Sequence, residues 1–352
     1  MSSAQVNTMQ ERTTSPQLRA VFASTRLPVM VAPMFLVSSP ELVIAASRAG
    51  IVGTYAAPNA RSIDALYHAF SDITASVKHD GNAPWALNMI VHSSYDRFDA
   101  ELELVLRYQP KIVTTALGSP LRVLKHVHGY GGFVMADVIT PTMARKAVEA
   151  GVDGLILVCA GAGGHTGTYH PFAFVDEVRK FWSGPLGLAG AVSTGAHTLA
   201  AQQIGADFAV LGTRFIAAEE SMALPAYRDM LVESRMEDLV TSKAVSGVLA
   251  NWLKPTIELA GLSAAQITED KKIDFSGDIS TAPKAWKDVW SAGHGVGAVQ
   301  TVEPLEAIVD RLAHEYTLSI DASISVCARR ADQVENWRAR SMSDVHNEGA
   351  LQ

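Results

Sequence analysis

Short apolar runs alternate with longer amphipathic stretches along most of this chain. Eight runs stand out, at residues 29–34, 51–56, 85–91, 112–117, 132–138, 154–160, 187–192 and 208–213. Each is nearly continuous rather than alternating, and rich in Val, Ile, Leu or Ala. Strands buried on both faces of a parallel sheet read this way. The stretches between them carry helix punctuation. Ser39 and Pro40 open one segment that runs to Gly50, and Thr140 and Pro141 open another that runs to Gly151. A third runs from Ser193 or Thr194 to Gly205, with Ala196, Leu199, Ala200 and Ile204 at helical spacing. Hydroxyl caps, Pro at the first helical position and Gly at the stop are the expected grammar. Residues 96–108 supply a further helix, ending before Pro110.

Strand–helix alternation yields a closed barrel or an open doubly wound sheet. Eight strands match the (β/α)8 TIM barrel, an α/β fold; an open sheet is the alternative, because periodicity does not show closure. After the eighth run the pattern changes. Residues 217–292 read as a mostly helical insertion, including an amphipathic stretch at 243–259, and residues 302–320 as a helix returning to the barrel wall. The expected organisation is a barrel made of 1–216 and 293–352, with the 217–292 insertion covering its mouth. The polar residues 1–16 read as a loose tail.

Composition narrows the function classes. Only 18% of the 352 residues are charged and 48% are hydrophobic, which suits a large core and argues against a disordered chain. The net charge of −7 gives no positive field to steer the chain to nucleic acid or anionic lipid. No apolar run is long enough for a membrane span, and the N-terminus carries no apolar signal region. Two cysteines, Cys159 and Cys327, do not make a disulfide framework. A cytoplasmic location is the expectation.

In a barrel of this kind, sites form from the loops after the strands. The loop after the sixth run reads Ala160-Gly161-Ala162-Gly163-Gly164-His165-Thr166-Gly167. Its glycines let the backbone approach a ligand closely, and His165 is presented among them; a flexible turn with a solvated histidine is the plainer alternative. The run lacks the third glycine and the downstream acid of a dinucleotide fingerprint. Gly190-Ala191-Val192-Ser193 and Gly212-Thr213-Arg214 end the seventh and eighth runs, where phosphate cradles of such barrels are built from backbone N–H groups. Those glycines also suit tight strand-to-helix turns with no ligand. Ala32-Pro33-Met34 ends the first strand, and Asn88 on the third offers a donor and an acceptor to a planar ring.

Together these elements resemble the nitronate monooxygenases, formerly called 2-nitropropane dioxygenases, an FMN-dependent barrel family similar to enoyl-carrier-protein reductases of the same fold. The resemblance rests on Ala32-Pro33-Met34, Gly163-Gly164-His165-x-Gly167 and Leu211-Gly212-Thr213-Arg214-Phe215. Ala292-Gly293-His294-Gly295 adds a match to the family's Ala-Gly-Gln-Gly-like element. It implies FMN as cofactor, with Ala32, Pro33 and Met34 at the ring, Asn88 near its pyrimidine side and Gly164 among the cofactor contacts. Gly190, Ala191, Gly212 and Thr213 then hold the phosphate. His165 is cast as the catalytic base or as the group positioning the nitro or nitronate oxygens, with oxygen as electron acceptor. A homodimer is also what the resemblance suggests.

This chain departs from the family pattern at three positions. Gly161 replaces a common Glu, Asp137 stands where Ser or Thr is usual, and His294 stands where Gln is usual. Asp137 is thus a cofactor contact, a second acid–base group, or a partner for a nearby Lys or Arg. Tyr169 and His294 are candidate substrate-pocket residues. His126 and His128 have metal-like spacing only on a strand, and no metal site is expected. Cys159 reads as a buried inert thiol, and Trp252, Trp286 and Trp290 as anchors of the insertion. The leading activity is FMN-dependent oxidation of a nitronate or nitroalkane by oxygen. The alternatives are an FMN-dependent NAD(P)H:quinone or enoyl-thioester reductase and an accessory protein without turnover.

Overall fold

The computed structural model describes residues 16–78, 81–261 and 286–349, so the expected N-terminal tail lies almost wholly outside it. Eight parallel strands form at the eight apolar runs: Val29–Val31, Thr54–Ala56, Ala86–Ile90, Ile112–Ala116, Phe133–Val138, Gly154–Val158, Leu186–Ala189 and Phe208–Leu211. Seven junctions are ladders between neighbours, including Val29–Val31 with Phe208–Leu211. The eighth is a bridge between Met30 and Val52. There the Val31 N–H donates to Val52 O at 2.8 Å and the Val52 N–H to Val29 O at 3.1 Å. The sheet closes on itself, which removes both edges and makes the TIM barrel rather than the open sheet.

The capping residues act as the sequence suggests. Ser39 Oγ accepts from the Leu42 N–H at 2.9 Å, Thr140 Oγ1 from the Met143 N–H at 3.1 Å, and Thr194 Oγ1 from the His197 N–H at 3.1 Å. These caps start the helices Pro40–Arg48, Pro141–Ala150 and Gly195–Gln203. Inside the barrel Met30, Ala86, Ile112, Met135, Ile156 and Val210 are buried, and Phe22 from the helix Pro16–Ala23 stacks on Phe208 at 3.7 Å to plug the N-terminal end. A Cβ on Gly187 would lie 2.4 Å from the Phe208 ring, so only glycine leaves that ring its place.

The insertion differs from its expected helical character. It holds the helices Pro225–Glu233 and Lys254–Leu259, but between them Leu239–Ser242 and Ala250–Leu253 pair as an antiparallel hairpin. The expected amphipathic helix at 243–259 is therefore short. Gly247, at φ +79°, breaks the run, and Pro255 starts a helix rather than continuing one. Residues 262–285 lie outside the described residues. Among the described residues no helix is long and apolar enough to cross a membrane.

The returning helix, Leu305–Gly349, runs well past the expected 302–320. Leu305, Ile308, Val309 and Leu312 are buried in the barrel core, whereas Leu318, Ile324 and Val326 further on are exposed. It touches the barrel at Gly195, where a Cβ would meet Leu312 O at 2.1 Å and Tyr316 N at 2.3 Å. Backbone meets backbone there and neither side has a flexible end to move. Gly195→Ala is expected to destabilise the fold by about 1–3 kcal/mol through overpacking, read as a lower denaturant midpoint with an unchanged slope.

Candidate active site

The C-terminal ends of the strands surround a largely apolar cavity of about 890 Å³, within the size range of small-molecule sites. Three walls come from strand ends. Ala32, Pro33 and Met34 follow the first strand, and Asn59 fixes them by donating through Nδ2 to Met34 O at 3.0 Å and to Ser38 O at 2.8 Å. Asn88 on the third strand donates through Nδ2 to Thr114 Oγ1 at 2.9 Å, leaving its amide oxygen for a ligand. Asp137 on the fifth strand also lines the cavity, and its Oδ1 is sealed from solvent without a donor among the described residues. Burial pushes its carboxyl up to about 7. The expected alternative, an ion pair with a nearby Lys or Arg, is not formed among the described residues.

The glycine loop after the sixth strand is held from two directions. From the barrel side, Gly161 O accepts the N–H groups of Ala191 at 3.3 Å and His294 at 2.9 Å, and Thr166 Oγ1 donates to Cys159 O at 3.1 Å. From the insertion, Ala250–Leu253 pairs antiparallel with Gly164–His165, with Ala250 opposite His165 and Asn251 opposite Gly164. The buried Asn251 Nδ2 donates to Ala162 O at 2.7 Å, and the Thr166 N–H to Leu249 O at 3.0 Å. Gly163 is needed for this arrangement, since a Cβ there would lie 2.7 Å from Gly293 N.

His165 thus sits on a short strand rather than a free loop. Its ring lies edge-on to Trp286, 5.3 Å away at 84°; the residue is exposed, and partial desolvation by the surrounding protein lowers its pKa below the ordinary 6.5. The neutral imidazole is the form that accepts a proton.

The seventh and eighth strand ends build the remaining wall. Gly190 and Ala191 have φ values of +113° and +58° in succession. A Cβ on Gly190 would meet Cys159 O at 3.0 Å, and the left-handed backbone at Ala191 is strain stored at the cavity wall. Thr213 Oγ1 accepts the Gly293 N–H at 2.8 Å and keeps its own proton to donate, and Gly212 lines the cavity beside it.

Two expected pocket residues do not line the cavity. Tyr169 is 44% exposed and packs on Phe174 with ring centroids 5.5 Å apart. The chain turns back at Gly167, whose Cβ would strike Val158 O, and the Ala160 N–H donates to Tyr169 O, which carries the ring outside. His294 is exposed and covers Gly161 from outside, while its neighbours Gly293 and Gly295 form the wall. Conversely, Trp286 and Trp290 line the cavity as well as anchoring the insertion. Trp286 packs on Trp252 at 4.5 Å, and Trp290 stacks on Tyr227 at 4.9 Å. Asn251 and Tyr227 had no signal of spacing or motif to mark them. Cys159 is buried, its thiol pushed up to about 12. His128 pairs with Asp153 at 2.8 Å before the sixth strand, at the end of the barrel opposite the cavity. Among the described residues no cluster of three or more His, Cys, Asp or Glu suits a metal ion.

The nitronate monooxygenase family model matches residues 71–315. A nitronate monooxygenase of Paraburkholderia phytofirmans is 26% identical over 341 residues, covering 84% of this chain and 93% of the relative. Among solved structures, FabK from Thermotoga maritima superposes with a TM-score of 0.72 at 23% identity, over 89% of this chain and all of that one. A nitroalkane oxidase from Streptomyces ansochromogenes gives the same score and identity over 86% and 99%. At that identity the two structures bear on the fold alone.

The double anchoring of the glycine loop generates a prediction. Asn251→Ala strands the buried Ala162 carbonyl, at an expected cost of about 1–3 kcal/mol. Hydrogen exchange of the amides at 162–166 is expected to speed up while the barrel strands stay protected. Unchanged exchange in the loop would show that Asn251 does not hold it.

Proposed function

The chain belongs to the nitronate monooxygenase family and is an oxidoreductase; on that premise we propose that it binds FMN and oxidises a nitronate or nitroalkane with molecular oxygen. The observation carrying this reading is the position of His165. It stands, with its pKa lowered towards the neutral form, on the wall of the same cavity that receives the turns Gly190-Ala191 and Gly212-Thr213.

The residues present fit such a cofactor. A wide apolar cavity suits a planar ring, and the unspent amide oxygen of Asn88 offers it an acceptor. The turn after the seventh strand opens on the cavity with Gly190 at φ +113°, where the missing side chain lets an anion approach the backbone closely. A phosphate there needs no lysine or arginine, which agrees with the acidic net charge of −7. Ala32, Pro33 and Met34 then border the ring, Gly164 is a further cofactor contact, and Gly190, Gly212 and Thr213 hold the phosphate while Ala191, whose N–H goes to Gly161 O, shapes the turn.

The 1–216 and 293–352 segments supply the cofactor site. The 217–292 insertion supplies the outer wall through Tyr227, Val248, Trp286 and Trp290. Bound FMN supplies the electron transfer. His165 accepts the proton from the carbon beside the nitro group, or holds the oxygens of a substrate that arrives as the nitronate. Trp286 fixes the imidazole from one side, and Trp290 lines the cavity beside it.

The purified protein is expected to show flavin absorbance and to consume oxygen with propionate 3-nitronate or a nitroalkane. With the nitroalkane, kcat/KM rises with pH through a pKa below 6.5 and then levels, because only neutral His165 takes the proton. His165→Asn removes that limb and lowers kcat/KM by about 10²–10⁴-fold. A yellow protein that ignores nitronates but is bleached by NADH would replace this reading with the reductase. A colourless protein that FMN does not reconstitute would end both.

A further inference from the structure

Among the described residues Asp137 is the one carboxyl of the cavity wall, partly buried, and the reading above leaves it without a task. Its Oδ1 is shut off from solvent and no described residue donates to it. The adjacent polar groups are committed elsewhere: the Thr115 hydroxyl donates to Met135 O at 3.3 Å, and Asn88 donates to Thr114. Register sets Asp137 beside Ile156 on the sixth strand, which brings only apolar side chains, Ile156 and Val158, to the wall. The other titratable side chains facing the cavity are Lys146 from the helix Pro141–Ala150, His165 from the glycine loop and Tyr227 from the insertion. None of them forms an ion pair or hydrogen bond with Asp137.

With Oδ1 sealed and unpartnered among the described residues, at a cost of roughly 1–3 kcal/mol, and the partly buried residue open to the cavity, a ligand meets the carboxyl at its other oxygen, and that oxygen's partner arrives with the ligand. Because no cation among the described residues attends it, the carboxyl meets that partner as a neutral acid, a hydrogen-bond donor.

Resting on the FMN reading, we propose that Asp137 holds its proton and donates it in a hydrogen bond to an acceptor on the bound flavin ring, making it a cofactor-positioning residue. Filling the cavity with the ring displaces water and brings in an anionic phosphate. Both further disfavour the carboxylate, so binding and protonation of Asp137 reinforce each other. The sign follows: a carboxyl that titrates at about 7 in the empty cavity and higher with the ring bound makes affinity highest at low pH. Affinity is lost as pH rises through 7.

The test is FMN titration of the full-length chain, followed by quenching of flavin fluorescence from about pH 6 to about pH 8.5. The wild-type Kd is expected to rise above pH 7, approaching tenfold per pH unit. Asp137→Asn, which keeps a donor but has no proton to lose, is expected to bind FMN with a nearly flat profile. The FMN phosphate and His165 also titrate in this range, but both are unchanged in Asp137→Asn, so any slope they cause survives there and is subtracted. His165→Asn is expected to retain the wild-type slope. A flat wild-type profile, or an Asp137→Asn profile parallel to the wild type, overturns the assignment while leaving the flavin reading intact. Absence of FMN binding at every pH removes the flavin reading itself, and this inference with it.

Discussion

Everything in the candidate site depends on barrel closure, and closure depends on a narrow junction. Seven of the eight strand pairs are ladders, but the first and second strands meet through the single bridge of Met30 and Val52 with its two hydrogen bonds. Backbone bonds of that number are worth little net in water. The junction holds because the core closes around it: Val29 and Val31 face the helices while Met30 faces the barrel interior with Ile112, Met135 and Phe208. Once the ring is complete, all eight C-terminal strand ends face one space. Residues as distant in sequence as Ala32, Asn88, Asp137 and Thr213 then share a wall.

A second constraint acts above that ring. The strand ends bring backbone so close together that side chains are excluded, as at Gly163 against Gly293 and Gly190 against Cys159 O. Glycine fits these places but costs stiffness, since it restricts its own backbone least. The structure restores the stiffness from outside. The hairpin strand Ala250–Leu253 pairs with Gly164–His165, and Asn251 reaches under it to the Ala162 carbonyl. The insertion therefore acts as part of the site's framework, and His165 owes its orientation as much to residues 250–252 as to its own loop.

The contrast between what was legible in the sequence and what was not follows from range. The eight strands were readable because each is buried on both faces, which forces a continuous apolar run whatever surrounds it. Helix starts at Ser39, Thr140 and Thr194 were readable because a cap is decided within four residues. The hairpin was not: four buried residues between Gly247 and Pro255 resemble one side of a helix until the partner strand is known. Tyr169 and His294 were misplaced for a related reason. His294 lies between the wall residues Gly293 and Gly295 and Tyr169 three positions after Thr166, but which way a side chain leaves a turn depends on backbone angles that the sequence leaves open. Trp286 lies some hundred residues from His165 in the chain, and only the fold brings the two rings together.

The electrostatics of the cavity have a single cause acting with opposite signs. Burial lowers the pKa of His165 and raises that of Asp137, because in each case it disfavours the charged form. The pair is thereby drawn towards a neutral base and a neutral acid near pH 7, a division of roles set by environment rather than by residue type. Neither group then attracts or repels an anionic substrate strongly. The only charged side chain left on the described wall is Lys146, exposed on the helix Pro141–Ala150. On the proposed reading, holding an anion in such a cavity falls to backbone dipoles, which carry no titratable proton. The turn at Gly190-Ala191, with its left-handed Ala191, is where the fold accepts a local backbone cost on the cavity wall.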